Sequence, residues 1–238
     1  KKGAPRGRAD RPRAELGENL RLVDVVVELR DARIPQASAG RGIEELVSRK
    51  PRLVVLNKAD LAAPDLTREW LGWFRGQGVP AVAVSVLDGR GMEALAAGVR
   101  RLAADRLARL RKAGLRGRRV RAMVVGIPNV GKSSLINRCV GVAKARAGDF
   151  PGITRGKQWV RAGDEFDLLD TPGVVPARLD APDDLFRLAV TGALRPGTYE
   201  AGEVARRLLR WMAETNPRGL ASLGANLRPE LGCREMLE

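Results

Sequence analysis

Val120-Arg121-Ala122-Met123-Val124-Val125-Gly126-Ile127-Pro128-Asn129-Val130-Gly131-Lys132-Ser133-Ser134-Leu135-Ile136-Asn137 is the stretch that decides the fold. Residues 120–125 read as a strand, and residues 132–140 carry helical spacing. Between them, residues 126–133 fit GxxxxGK[ST]. In a strand–loop–helix context this motif predicts a phosphate cradle. Its glycines let successive backbone N–H groups curl round a β-phosphate, and the helix N-terminus adds partial positive charge. Lys132 is expected to reach the β- and γ-phosphate oxygens, and the Ser133 hydroxyl to ligate Mg2+. Asn129, Val130, Gly131 and Ser134 complete the expected cradle.

Downstream, Phe166-Asp167-Leu168-Leu169 is another strand pattern, and it ends in Asp170-Thr171-Pro172-Gly173. A carboxylate at the C-terminal end of a strand can hold Mg2+ through water, which makes Asp170 a candidate metal residue. The N–H of Gly173 is suited to bond a γ-phosphate and so report its presence. Between the two motifs, Asp149-Phe150-Pro151-Gly152-Ile153-Thr154 offers Thr154, in a Gly/Pro loop, as a switch residue closing on the metal. Lys132, Thr154 and Gly173 are therefore the expected catalytic residues. Ser133, Thr154 and Asp170 are the expected magnesium ligands.

Upstream, Arg52-Leu53-Val54-Val55-Leu56 reads as a buried strand and runs into Asn57-Lys58-Ala59-Asp60. Asp60 can accept two hydrogen bonds from guanine, at N1–H and the 2-amino group. Adenine has neither donor, so the same carboxylate would be left unpaired. Asn57 suits the acceptor edge of the base, and the Lys58 stem can pack along the ring and the phosphate loop. Ser85-Val86-Leu87, after a short strand at 81–84, is a candidate for backbone bonding to guanine O6. Together these residues favour GTP over ATP.

The order of the motifs is unusual. The base-reading residues 57–60 and 85 precede the phosphate loop, whereas an ordinary GTPase places them after the switches. Joining the old termini and cutting elsewhere rebuilds the same sheet, which is a circular permutation. The expected fold is α/β, a P-loop NTPase with a largely parallel sheet. Helices are predicted at 14–21, 40–49, 65–76, 91–112 and 132–140. Strands are predicted at 22–29, 52–56, 81–84, 120–125, 158–161 and 166–169. After residue 175 only helical patterns recur, at 183–194, 200–215 and 230–237. The expected organisation is a basic flexible arm at 1–13, a circularly permuted GTPase domain at 14–175 and a small helical C-terminal domain at 176–238.

The chain has 238 residues, 43 Lys+Arg against 28 Asp+Glu, and a formal net charge of +15. It contains no histidine, which excludes His-ligated zinc and a Ser-His-Asp triad within it. Cys139 and Cys233 are too few for a disulfide framework and are expected to be reduced, buried thiols. No apolar run is long enough to span a membrane. Residues 1–13 hold six basic residues against Asp10, and residues 100–121 hold ten against Asp105. These two blocks account for +14 of the net charge. Clustered arginine without acidic partners fits a polyanion surface. Neither block contains an aromatic residue, so phosphates of structured RNA are favoured over stacked single strands.

With these motifs in hand, the chain resembles the circularly permuted GTPases of the YlqF/RbgA family, the ribosome biogenesis GTPase A proteins. The likeness covers about residues 14–195. It rests on Asp31-Ala32-Arg33-Ile34-Pro35, the 57–60 motif, the phosphate loop through Asn137, residues 148–154, residues 168–174 and Arg187-Leu188-Ala189-Val190-Thr191-Gly192. The resemblance implies GTP hydrolysis to GDP coupled to late assembly of the large ribosomal subunit. It also implies a helical RNA-binding C-terminal domain, and potassium stimulation involving Asn129. Expected partners are the large-subunit precursor and its rRNA. No DNA partner is expected, and the chain is expected to be a monomer. The expected location is the cytoplasm, or the mitochondrial matrix for an organellar relative.

Two features depart from the family pattern. The usual N-terminal segment with a histidine proposed to position water is absent, and Val174 stands where many GTPases place a water-orienting glutamine. These departures, with the start at Lys1, are read as those of a trimmed chain. A GTPase slow by itself and activated by the ribosomal particle is the leading expectation. The alternative is a GTP-dependent RNA-binding placeholder with negligible hydrolysis. An ATPase or nucleotide kinase is disfavoured by Asp60.

Overall fold

A computed structural model describes residues 10–40, 42–47, 50–115, 117–147, 158–162, 166–170 and 183–222, with 179 and 181. The chain forms two compact units, Lys1–Asp180 and Ala181–Glu238. The first unit holds α1 (Asp10–Leu22), β1 (Val25–Asp31), α2 (Ile43–Val47), β2 (Arg52–Asn57), α3 (Pro64–Gly76) and β3 (Ala81–Ala83). It continues with α4 (Met92–Lys112), β4 (Val120–Val125), α5 (Lys132–Ala147), β5 (Gln158–Ala162) and β6 (Phe166–Asp170). The second unit holds α6 (Asp184–Val190), α7 (Ala201–Thr215) and α8 (Pro217–Ser222).

The six strands lie in the order β3-β2-β1-β4-β6-β5. All neighbouring pairs are parallel except β5 with β6. From β1 the chain moves outward through β2 and β3, and from β4 it moves the other way. The order therefore reverses between β1 and β4, where an α/β sheet opens a ligand crevice at the strands' C-terminal ends. The phosphate loop follows β4, and the 57–60 motif follows β2, one strand beyond β1.

The core is apolar on both faces of the sheet. Leu16 and Leu20 of α1, with Ile43 and Val47 of α2, pack with Val26, Met123, Val125 and Leu169. Phe74 of α3 packs with Val54 and Leu56 on that face. On the opposite face Gly98 of α4 lies so close to Leu53 that a Cβ there would sit 3.0 Å from a Leu53 methyl.

Several boundaries differ from the sequence reading. The first strand spans 25–31 rather than 22–29. Its extra residues, Arg30 and Asp31, are charged, a pattern that ordinarily ends a strand. Here both are buried and paired: Arg30 Nε meets Glu28 at 2.7 Å, and Arg33 meets Asp31 at 2.7 Å. Helix α1 starts at Asp10, so residues 10–13 of the expected arm are helical. α5 continues to Ala147, and α8 follows α7 across Asn216 and Pro217, a proline position suited to starting a helix. The helix expected at 230–237 and residues 1–9 lie outside the described residues.

Candidate functional site

The residues expected at opposite ends of a nucleotide are joined by direct hydrogen bonds. Asn57 closes β2 and is 3% exposed. Its Nδ2 donates to the Val130 carbonyl at 2.8 Å, and its Oδ1 accepts the Val86 N–H at 3.3 Å. One side-chain amide thus ties β2, the phosphate loop and the loop after β3. The sequence reading placed Asn57 on the base; the structure engages its amide with the protein backbone.

Lys58 follows with φ 61°, and its Nζ donates to the Asn129 carbonyl at 2.9 Å. Asn129 is itself left-handed, at φ 59°. Gly131 has φ 101°, and a Cβ there would fall 2.4 Å from Asn57 Nδ2, so conformation and close approach both demand glycine. Asp60 sits in a 3-10 turn, Ala59–Leu61. It is exposed and takes no hydrogen bond or ion pair among the described residues.

Lys132 Nζ donates to the carbonyls of Gly126 at 2.9 Å and Ile127 at 2.7 Å. The ammonium is folded onto its own loop. Ser133 and Ser134 are exposed in the first turn of α5. That turn leaves N–H donors without helical partners, the arrangement that suits an anion. Asp170 is the last residue of β6, whose Leu169 pairs with Met123 of β4. It is thereby placed beside the strand that leads into the phosphate loop. Thr154 and Gly173 lie outside the described residues.

Ser85 opens a tight turn. Its backbone N–H donates to the Arg90 carbonyl at 3.0 Å, and its carbonyl accepts Gly89 N–H at 2.8 Å. These bonds close the 85–90 turn and engage the Ser85 N–H within it. Arg90 braces the turn through Asp88, whose carboxyl is held down to about 2 by the Arg90 hydrogen bonds.

Residues 121–194 match the family model described as 50S ribosome-binding GTPase. Ribosome biogenesis GTPase A of Bacillus pumilus is 41% identical over 214 residues, which cover 90% of this chain and 76% of that protein. The chain belongs to the ribosome biogenesis GTPase A family. Among mitochondrial proteins, Short integuments 2 of Arabidopsis thaliana is 30% identical over 203 residues, covering 80% of this chain and 51% of that one. The crystal structure of GNP-bound YlqF from T. maritima superposes with a TM-score of 0.61 at 29% identity, covering 85% of this chain and 74% of its own. A circularly permuted P-loop GTPase fold is common to this family and to the sheet described above.

In this ribosome biogenesis GTPase A relative, one cluster went unassigned in the sequence reading. Asp31, 1% exposed, ends β1 at the crevice. It accepts Arg33 N–H at 3.0 Å, Arg33 Nε at 2.9 Å and Arg33 Nη2 at 2.7 Å, and pairs with Lys58 Nζ at 3.1 Å. Burial pushes the Asp31 carboxyl up, but hydrogen bonds and charge from Arg33, with the charge of Lys58, outweigh this and hold it below the usual range. A chain of contacts thus runs Arg33–Asp31–Lys58–Asn129. The only sequence signal was an Asp-x-Arg at the end of an apolar strand.

The basic segment 100–121 is divided in use. Arg106 and Arg118 pair with buried Asp24, and Arg119 Nε meets Asp167 at 2.7 Å. Arg121 lies 4.8 Å over the ring of Trp159. Arg100, Arg101, Arg109, Arg111 and Lys112 are exposed on α4. Of the thiols, Cys139 is buried and free, and Cys233 lies outside the described residues. No described helix is long and apolar enough to cross a membrane.

Proposed function

We propose that this protein hydrolyses GTP to GDP while bound to the large ribosomal subunit precursor, and that nucleotide state sets its affinity for the particle. The observation that carries this reading is the pair of bonds from Asn57 and Lys58 to the phosphate loop, at 2.8 and 2.9 Å. They tie the elements read as guanine-reading and phosphate-binding directly to each other.

In this reading Asp60 accepts the N1–H and 2-amino donors of guanine, and the 126–134 backbone cradles the β-phosphate. Lys132 leaves the Gly126 and Ile127 carbonyls for phosphate oxygens, exchanging neutral acceptors for charged ones. Within the Ser85-Val86-Leu87 stretch the O6 donor is the Leu87 N–H, since those of Ser85 and Val86 donate to the Arg90 carbonyl and to Asn57 Oδ1. A hydroxyl at Ser133 and a carboxylate at Asp170 form an oxygen donor set suited to a hard cation that keeps waters. Magnesium bound there would neutralise charge on the β- and γ-phosphates. Thr154 and Gly173 hold the switches closed when the γ-phosphate is present and release them after hydrolysis. Asn129 is the residue assigned to a stimulating potassium ion.

The exposed arginines of α4 give an electrostatic surface for rRNA phosphates. The protein acts as a monomer. Water attack is slow without the ribosomal particle. The test is single-turnover GTP hydrolysis in KCl and NaCl, with and without large-subunit precursors. Acceleration by the particle, larger in KCl, is expected. A free chain turning over at tens per second would contradict the activation step, and no cleavage under any condition would favour the non-hydrolysing placeholder.

A further inference from the structure

α5 opens on the phosphate loop, and in its second turn Arg138 reaches across to the turn at 85–90. Its Nη1 donates to the Leu87 carbonyl at 2.9 Å, joining residues 51 apart in sequence. The approach is close. A Cβ on Gly89 would collide with Arg138 Nη2 and sit 3.1 Å from its Cζ. Gly89 also has φ 88°, so conformation and the guanidinium both call for glycine there. Arg138 is half-buried and pairs with no carboxylate among the described residues. Its charged donor is spent on a neutral carbonyl, a strong form of hydrogen bond.

That carbonyl matters because of the N–H on the same residue. The Ser85 N–H bonds the Arg90 carbonyl at 3.0 Å, and the Val86 N–H bonds Asn57 Oδ1 at 3.3 Å. The Leu87 N–H has no acceptor among the described residues, and Leu87 is 82% exposed. This donor thus lies between two anchored groups, the Val86 N–H held from β2 and the Leu87 carbonyl held from α5. Each residue has only two soft backbone torsions, so anchors on both sides limit how far the intervening peptide plane can turn. A hydrogen bond weakens steeply once its donor swings off line, so that restraint sets the strength of any bond the Leu87 N–H makes.

On the guanine reading of Asp60 and Leu87, on which this rests, we propose that Arg138 is a positioning residue for guanine recognition. By holding the Leu87 carbonyl it aims the Leu87 N–H at O6 of the base. α5 then serves both ends of the nucleotide, with Ser133 at the phosphates and Arg138 behind the O6 donor. A purely electrostatic pull of Arg138 on the phosphates would instead act equally on every nucleotide with the same diphosphate.

The test compares GDP with 6-thio-GDP, which keeps N1–H, the 2-amino group and the diphosphate but replaces O6 by sulfur, a weak acceptor. Both compete against a fluorescent guanine nucleotide on the full chain, unsubstituted and with Arg138→Ala. The substitution should weaken GDP about fivefold to tenfold and 6-thio-GDP less than about twofold. Gly89→Ala, whose methyl would displace the guanidinium, should give the same GDP-selective loss. Melting temperatures of the nucleotide-free variants should confirm that both fold. Equal weakening of the two nucleotides, or of neither, would overturn the proposal and leave the guanine reading standing. An unsubstituted chain that fails to prefer GDP over ADP would overturn the guanine reading itself, and the proposal with it.

Discussion

Asn57→Ala separates a scaffolding amide from a base contact. The substitution strands the Val130 carbonyl, bonded at 2.8 Å, and the Val86 N–H, bonded at 3.3 Å. Val130 is 0% exposed and Val86 is 6% exposed, so water reaches neither group without opening the loops. A buried polar group left without a partner costs about 1–3 kcal/mol. The Val130 carbonyl takes the full penalty, and the longer Val86 bond contributes less, for a total of about 2–4 kcal/mol. The assay is urea unfolding of nucleotide-free protein, followed by the fluorescence of Trp70 and Trp73. With a urea slope of about 2 kcal/mol per molar, the midpoint should fall by about 1–2 M. GTP affinity should fall as well, because the phosphate loop loses its tie to β2. If the nucleotide-free midpoint were unchanged and only guanine affinity fell, Asn57 would be a base contact and the joined-loop reading would be refuted.

Three further outcomes follow from the same geometry. Asp60→Asn should weaken GTP by at least tenfold and admit xanthosine triphosphate, read by competition against a fluorescent guanine nucleotide; ATP competing equally with GTP on the unsubstituted chain would contradict this. The Asp31 carboxyl titrates below its unfolded value, so its stabilising contribution is complete at neutral pH and is lost as pH falls below about 4, through the folded-state pKa. Asp31→Asn should therefore be less stable at pH 7 and show a shallower loss of stability between about pH 5 and 3, checked by urea midpoints across that range. Burial raises the Cys139 thiol to about 11, so in a Cys233→Ser background it should react with a disulfide reagent at pH 8 only as fast as the protein opens; rapid labelling of native protein would contradict its buried position.

The nucleotide-binding core could be read from sequence because its parts are local. The phosphate loop needs a strand before it and a helix after it, and both patterns are contiguous at 120–140. The 57–60 motif likewise ends a run of apolar residues. What brings them together is not local. The Asn57–Val130 bond joins residues 73 apart in sequence, and neither residue's type announces it. How the Ser85-Val86-Leu87 stretch is bonded is equally hidden, because the turn to Arg90 engages the Ser85 N–H and Asn57 the Val86 N–H, a matter of turn geometry rather than composition. The strand at 25–31 was shifted because Arg30 and Asp31 look solvent-facing until Glu28 and Arg33 are seen to neutralise them. The arginine-rich segment looked uniform, yet Arg106, Arg118 and Arg119 turn inward to Asp24 and Asp167.

The central claim is that the γ-phosphate governs attachment to the large ribosomal subunit. Co-sedimentation of the chain with purified large subunits, in GDP and in a non-hydrolysable GTP analogue at physiological salt, tests it directly. The account predicts pelleting with the analogue and release with GDP. Equal pelleting in both nucleotides, or none in either, would contradict it.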